Sequence, residues 1–387
     1  MKRLHGPFDV QPLRARSLIL ILTVMLVVTP ASAHAQSADW SATSVTTSAN
    51  RIFILGDGTL LVQTIANTLL RSDDGAQTFR DVPLPAPSGA DAGPRPIAID
   101  PADASVVYAA SDAGLTRTLD GGATFQVIFA APIAAVSASP ADPRLVYIGV
   151  PGPGSNQFRF LRSEDGGDTF AVIAQLESDN PECVFDVSLL QADQSQVGRV
   201  FRSTACLAGR DLASPGFSQA LERSVDGGQT FGTVARPAGG FAALLVGGTG
   251  VLPARYYLAD TKPFSATPSA VYRSDDGAAS FTQVFQLPPL AASSSQPIIG
   301  GLAFDPNRPE RVFVGQRNGA TGVVVSEDGG GTFTPLGRRN IGQVFGLALA
   351  GNGSELYAAT SQGLFHLSFS GSSPPPVQIP VVLGPVD

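Results

Sequence analysis

One octapeptide recurs six times along the chain and constrains its fold more than any other feature. It reads SDDGAQTF from Ser72, TLDGGATF from Thr118, SEDGGDTF from Ser163, SVDGGQTF from Ser224, SDDGAASF from Ser274 and SEDGGGTF from Ser326. Successive copies start 46, 45, 61, 50 and 52 residues apart. A period of that size marks stacked supersecondary units, each unable to bury its apolar face alone. Asp-Gly between two alternating apolar runs is a hairpin signal, because glycine accepts positive φ. The third-position carboxylates (Asp74, Asp120, Asp165, Asp226, Asp276, Asp328) are placed to accept hydrogen bonds from the turn. The closing Phe79, Phe125, Phe170, Phe231, Phe281 and Phe333 are expected to bury.

Around each octapeptide the sequence reads as four short strands, a to d. In the second unit these are 96–100, 106–110, 114–118 and 124–129, which places the octapeptide at the c–d turn. The sixth unit repeats the pattern with GLAFDP from Gly301, RVFVG from Arg311, GVVVS from Gly322 and TFTPL from Thr332. A last, partial unit supplies only strands a to c (346–350, 355–360, 363–369). Its missing strand d is expected from the N-terminal Asp39-Trp40 segment, with Trp40 in the place of the octapeptide phenylalanine. That closure removes the open sheet edges. The expected fold is all-β, a single seven-bladed β-propeller of four-stranded antiparallel blades over 36–370.

The octapeptide resembles the Asp-box (BNR) repeat, S/T-x-D-x-G-x-T/S-F/W, of sialidases, sortilin-type receptors and photosystem assembly factors. Six copies in register carry the resemblance. Ala76 and Ala278 stand where that pattern has glycine.

The N-terminus has basic Lys2, Arg3, Arg14 and Arg16, an apolar run from Ser17 to Val28, and Ala33-His34-Ala35. This reads as a secretory signal peptide, 1–35, cleaved after Ala35, and implies an extracytoplasmic or secreted protein. The mature chain would carry a net charge of −10 and a single lysine, Lys262. That balance argues against nucleic acid and anionic lipid as partners, no later segment is apolar enough to span a membrane, and a monomer is expected. The Pro-rich tail 371–387 (GSSPPPVQIPVVLGPVD) falls outside the ring, either as a disordered or loosely packed tail or, through VQIPVVL, as a short apolar strand that docks on the propeller or on a partner.

Cys183 and Cys206 are the two cysteines of an exported chain, so a structural disulfide is expected. Pairing Leu190 with Arg199 across the a–b turn of the fourth unit would set the two cysteines directly opposite each other.

The octapeptides mark one face of the ring, and the b–c and d–a links lie on the other. Units three, four and five carry long b–c links there, from Val150, Leu207 and Asp260. Binding concentrates on elaborated loops, so this face is the expected interaction surface. Its candidate contacts are Arg210, Asp211, Phe217, Lys262, Phe264, Arg338 and Arg339, and the ligand class is protein or glycan.

An active site is harder to assemble. Sialidases use three arginines, a Tyr-Glu pair and an Asp acid/base. Asn50-Arg51-Ile52-Phe53 is only faintly similar to their first arginine motif, and Arg51 reads as a surface residue at a strand end. Arg71, Arg117, Arg162, Arg223 and Arg273 immediately precede octapeptides, and Tyr108, Tyr147 and Tyr357 share one strand-b position. Repeat architecture explains both sets. His366 is the one mature histidine and reads as a buried structural residue, so a histidine metal cluster or a catalytic triad is not expected. No metal or cofactor is implied. The sequence therefore favours a non-catalytic binding propeller, with a sialidase-like exo-glycoside hydrolase using an unrecognised carboxylate pair as the alternative.

Overall fold

A computed structural model describes residues 39–85, 95–111, 113–208, 220–235, 242–247, 254–260, 268–290, 296–318 and 322–369. The segment 1–35 read as a signal peptide and the tail 371–387 lie outside these residues, as do Arg210, Asp211, Phe217, Lys262 and Phe264.

The described strands form seven four-stranded antiparallel sheets arranged in a ring, a seven-bladed β-propeller. Blade 1 contains Ala49–Ile54, Leu60–Thr64, Leu69–Ser72 and Arg80–Val82 as strands a to d. Strands a of the later blades are Ile97–Ile99, Ala135–Ala138, Cys183–Ala192, Ala242–Gly247, Ile298–Asp305 and Val344–Leu349. These inner strands touch their neighbours from blade 2 round to blade 7 and from blade 7 to blade 1. In blades 1, 4, 5, 6 and 7 the a–b register slips by one residue, as between Ala49 and Arg51 or Val344 and Gly346. One extra residue bends the inner strand at its d–a end.

Blade 7 closes as its sequence implies. Strand d is Ser41–Ala42, paired with strand c through Ser41↔His366 and Ala42↔Phe365. The strand has two residues, and Trp40 anchors it. The indole is buried, and its Nε1–H donates to the Leu336 carbonyl of blade 6 at 3.0 Å. Trp40 packs with Phe313, Val323 and Leu336 in the seam to the preceding blade. The octapeptide phenylalanines occupy the same place elsewhere but are half-buried, not buried as expected, because they cap the seam from the outer strand: Phe125 packs on the blade 1–2 core and Phe170 on the blade 2–3 core. Gly337 shows how tight the closure is, since a Cβ there would lie 2.5 Å from Trp40 Cδ1.

In blade 4 the observed register corrects the expected one. Leu190 pairs with Arg202, not Arg199, because the hairpin turn is longer than supposed and the ladder carries a bulge between Val187 and Leu189. Cys183 therefore faces Ala208, and Cys206 faces Phe185. The cysteines occupy diagonal positions in the ladder, not directly opposed ones. Among the described residues no helix is long and apolar enough to cross a membrane.

Candidate functional site

The octapeptide turns share one geometry. In blade 2, Thr118 Oγ1 donates to Asp120 Oδ1 at 2.7 Å and accepts the Gly122 amide at 3.0 Å. Asp120 also accepts the Thr124 amide at 2.9 Å and its hydroxyl at 2.7 Å. Asp74, Asp165, Asp226, Asp276 and Asp328 repeat these contacts. The hydroxyl and amide of Thr124, with the Thr118 hydroxyl, hold the Asp120 carboxyl down at about 2. Each carboxylate is thus committed to its own turn. Ala76 and Ala278 take up the left-handed conformation (φ 67° and 61°) that glycine has in the other copies, so the turn survives both replacements.

The arginines before the octapeptides staple each blade to the next. Nη1 of Arg117 donates to Gly166 O at 2.7 Å, Arg162 to Gly227 O at 3.0 Å, Arg223 to Gly277 O at 2.8 Å and Arg273 to Gly329 O at 2.7 Å. Arg71 reaches the Ala104 carbonyl at 3.0 Å instead. Blade 6 has Val325 at this position, packed in the Trp40 core, and blade 7 has no octapeptide to receive a donor. The strand-b tyrosines serve the same seams. Tyr108 donates to Gly166 O at 2.8 Å and Tyr257 to Pro309 O at 2.8 Å. Burial raises the Tyr108 hydroxyl to about 12. Tyr147 and Tyr357 are the exceptions: the Tyr147 hydroxyl is buried with no hydrogen-bond partner, and Tyr357 donates to Glu355 of its own strand.

Arg338 and Arg339 are tied to the closure. Their amides both donate to Asp39 Oδ1 at 2.9 Å, and the Arg339 guanidinium lies 5.1 Å over the Phe365 ring. Those amides hold the Asp39 carboxyl below its usual range. Both residues are exposed.

Two expectations need correction. Arg51 is not a surface arginine. It lies within strand a of blade 1, is 5% exposed, and its Nε has no hydrogen-bond partner. Burial with no offsetting carboxylate lowers it to about 10. Parity along the strand explains the burial, since Arg51 shares a face with Phe53 and Leu55, which pack toward blade 2. His366 is half-buried, not buried, and stacks on Tyr357 at 6.1 Å. Among the described residues no group of three or more His, Cys, Asp or Glu is placed to hold a metal ion.

The concavity that sequence reasoning missed is in the channel. At its octapeptide end, the strand-a ends of blades 1 to 4 enclose a cavity of about 80 Å³, walled by Phe53, Leu55, Ile97, Ile99, Val136 and Ala192. Its polar edge is Ser137, Gln191 and Gln194, and Gln194 Oε1 is buried without a partner. Small residues at strand-a ends (Ala98, Ala138, Ala192) were the available signal, but nothing in a linear reading makes them converge.

No family model and no curated protein matches the chain. Solved structures do match in fold. A GH74 xyloglucanase from Xanthomonas campestris superposes with TM-score 0.59 at 18% identity, covering 85% of this chain and 53% of that one. YCF48 bound to a D1 peptide gives 0.54 at 13% identity, covering 86% and 97%. The extracellular domain of a putative one-component system from B. thetaiotaomicron gives 0.55 at 11%, covering 86% and 40%. The chain spans about half the length of the two GH74 enzymes it matches first. At these identities the likeness shows the seven-bladed fold.

Proposed function

We propose that this chain is an extracytoplasmic, non-catalytic Asp-box propeller that holds a protein or glycan ligand on the face opposite the octapeptides. One observation carries the reading: among the described residues, the repeated carboxylates, arginines and tyrosines that chemistry could draw on are engaged in architecture. The six octapeptide carboxylates close turns, the arginines before them staple seams, and Tyr108 and Tyr257 donate across the same seams. Such a ring is a rigid platform whose variable links do the recognising. The solved neighbours support a spread of uses on one scaffold, since one is a xyloglucanase and another has a D1 peptide bound.

The reading extends to the cysteines. A Cys183–Cys206 bridge would staple blade 4 at the end bearing its longest link. The diagonal placement of the two positions in the ladder and the absence of free cysteines among the described residues support it.

Trimming the link 209–219 should abolish ligand binding, read on glycan and peptide arrays, while thermal stability is kept. Unchanged binding would sink the loop-face reading. Turnover on a panel of chromogenic glycosides, abolished by an Asp or Glu substitution on that face, would establish the sialidase-like hydrolase instead.

A further inference from the structure

The octapeptide mouth of the channel holds an apolar cavity that the ligand face proposed above does not use. We propose that its occupant is the chain's own C-terminal segment 377–383, VQIPVVL, seated as an intramolecular plug.

Three observations lead there. First, strand c of blade 7 runs from Gly363 to Ser368, antiparallel to strand b, and ends at the octapeptide end of the ring. The residues after Phe369 therefore start on the face where the cavity opens. Second, the reach is right. Strand c is third from the channel, about 10 Å out at a strand spacing of roughly 4.8 Å. The link 370–376 contains three consecutive prolines, and at about 3.1 Å per residue an extended link of this kind spans roughly 20 Å. Third, the chemistry matches. Five of the seven residues in 377–383 are Val, Ile or Leu, and no charged residue occurs between 371 and 386. Such a sequence gains by covering apolar surface.

The size of the cavity determines how the plug sits. About 80 Å³ is near half the volume of an engineered apolar cavity of about 150 Å³ that admits benzene. It therefore takes one branched aliphatic side chain, while the rest of the segment lies across the mouth. Pro380 disfavours strand pairing, so the segment is not an added strand on a blade edge. The partnerless Gln194 Oε1 at the rim can accept a backbone amide from the segment. A short tether raises the effective concentration of the segment to about the millimolar range, which favours it over a free competitor of equal intrinsic affinity.

The test compares the intact chain with a Val381→Asp/Val382→Asp variant and with a truncation after Ser370. Amides of 97–100 and 136–139 should exchange at least tenfold faster in both altered chains. A labelled peptide of residues 371–387 should bind them and not the intact chain, and Val136→Asp in the altered chain should remove that binding. Equal exchange in all three proteins would overturn the proposal, as would equal peptide binding to intact and altered chains. The double substitution keeps the test decisive should the truncation fold poorly. A small molecule retained by the intact chain, detected by native mass spectrometry and lost on Val136→Asp, would assign the cavity to another occupant and also overturn it. None of these outcomes bears on the loop-face ligand.

Discussion

Arg117 of blade 2 donates from Nη1 to the carbonyl of Gly166 in the octapeptide of blade 3, at 2.7 Å and across a seam of the ring. The guanidinium is mostly buried, and its second contact is the exposed carboxylate of Asp168 at 2.8 Å. The carbonyl bond is the stronger term, because exposed ion pairs contribute little. Arg117→Met keeps the apolar stem and removes the donor, so it should cost about 1.5 to 3 kcal/mol in urea unfolding. Arg80, exposed and 3.8 Å from Asp73, is the control. Arg80→Ala should stay within about 0.5 kcal/mol.

The octapeptide carboxylates make the fold acid-sensitive in a defined window. Asp74 and Asp120 are held at about 2 by turn hydroxyls and amides, and the other four are lowered for the same reasons. A depressed folded-state value means that the stabilisation is complete above the unfolded value of roughly 3.9 and fades as pH falls toward 2. The melting temperature should therefore be level from pH 7 to 5 and fall steeply between 4 and 2. In Asp120→Asn, the fall should be shallower and start from a lower plateau.

Trp40 is the only tryptophan, so its fluorescence reports ring closure directly. Emission should be blue-shifted in the folded protein and move to the red on unfolding. Trp40→Ala should cost about 3 to 5 kcal/mol. Trp40→Phe leaves the Leu336 carbonyl without its donor and should cost about 1 to 2 kcal/mol. Gly337→Ala tests the same contact from the other side, since φ there is +77° and the new Cβ would meet the indole. It should lower stability and shift the emission without any change to Trp40 itself.

If Cys183 and Cys206 are bridged, the oxidised protein should lack titratable thiols and gain 2 Da on reduction. Double replacement by serine should lower stability by about 3 kcal/mol, the loop-closure entropy of a segment this long. Two free thiols in protein secreted under oxidising conditions would refute the bridge.

What the sequence disclosed was local and periodic. The octapeptide names its own hydrogen bonds, so Asp120, Thr118 and Thr124 could be placed before any fold was known. The closure by Trp40 followed from counting strands in the last unit. What stayed hidden depends on register and on convergence around the ring. The turn at 193–199 is closed by Asp193 and Arg199 backbone groups, three residues further out than an ideal alternation suggests, and so the cysteine pairing shifted. The staple from Arg117 to Gly166 joins residues 49 apart, and nothing in either neighbourhood announces the other. The channel cavity draws on four blades at once.

Arg51 belongs to that hidden class and yields the sharpest stability prediction. Its guanidinium is buried in the seam between blades 1 and 2, with no carboxylate beside it and an unpartnered Nε. Desolvating a charge without a partner is expensive, and an apolar side chain of similar length removes that cost. Methionine fits the same space as the arginine stem and follows the path of Phe53 and Leu55 along the strand. Arg51→Met should therefore stabilise the protein by about 1 to 3 kcal/mol, seen as a higher urea midpoint at unchanged slope. Arg51→Glu leaves the charge unpaired with opposite sign and should destabilise. A loss of stability in Arg51→Met would mean that the guanidinium is neutralised by a bound anion in solution, and sulfate or chloride titration of the wild-type melting temperature would then show it directly.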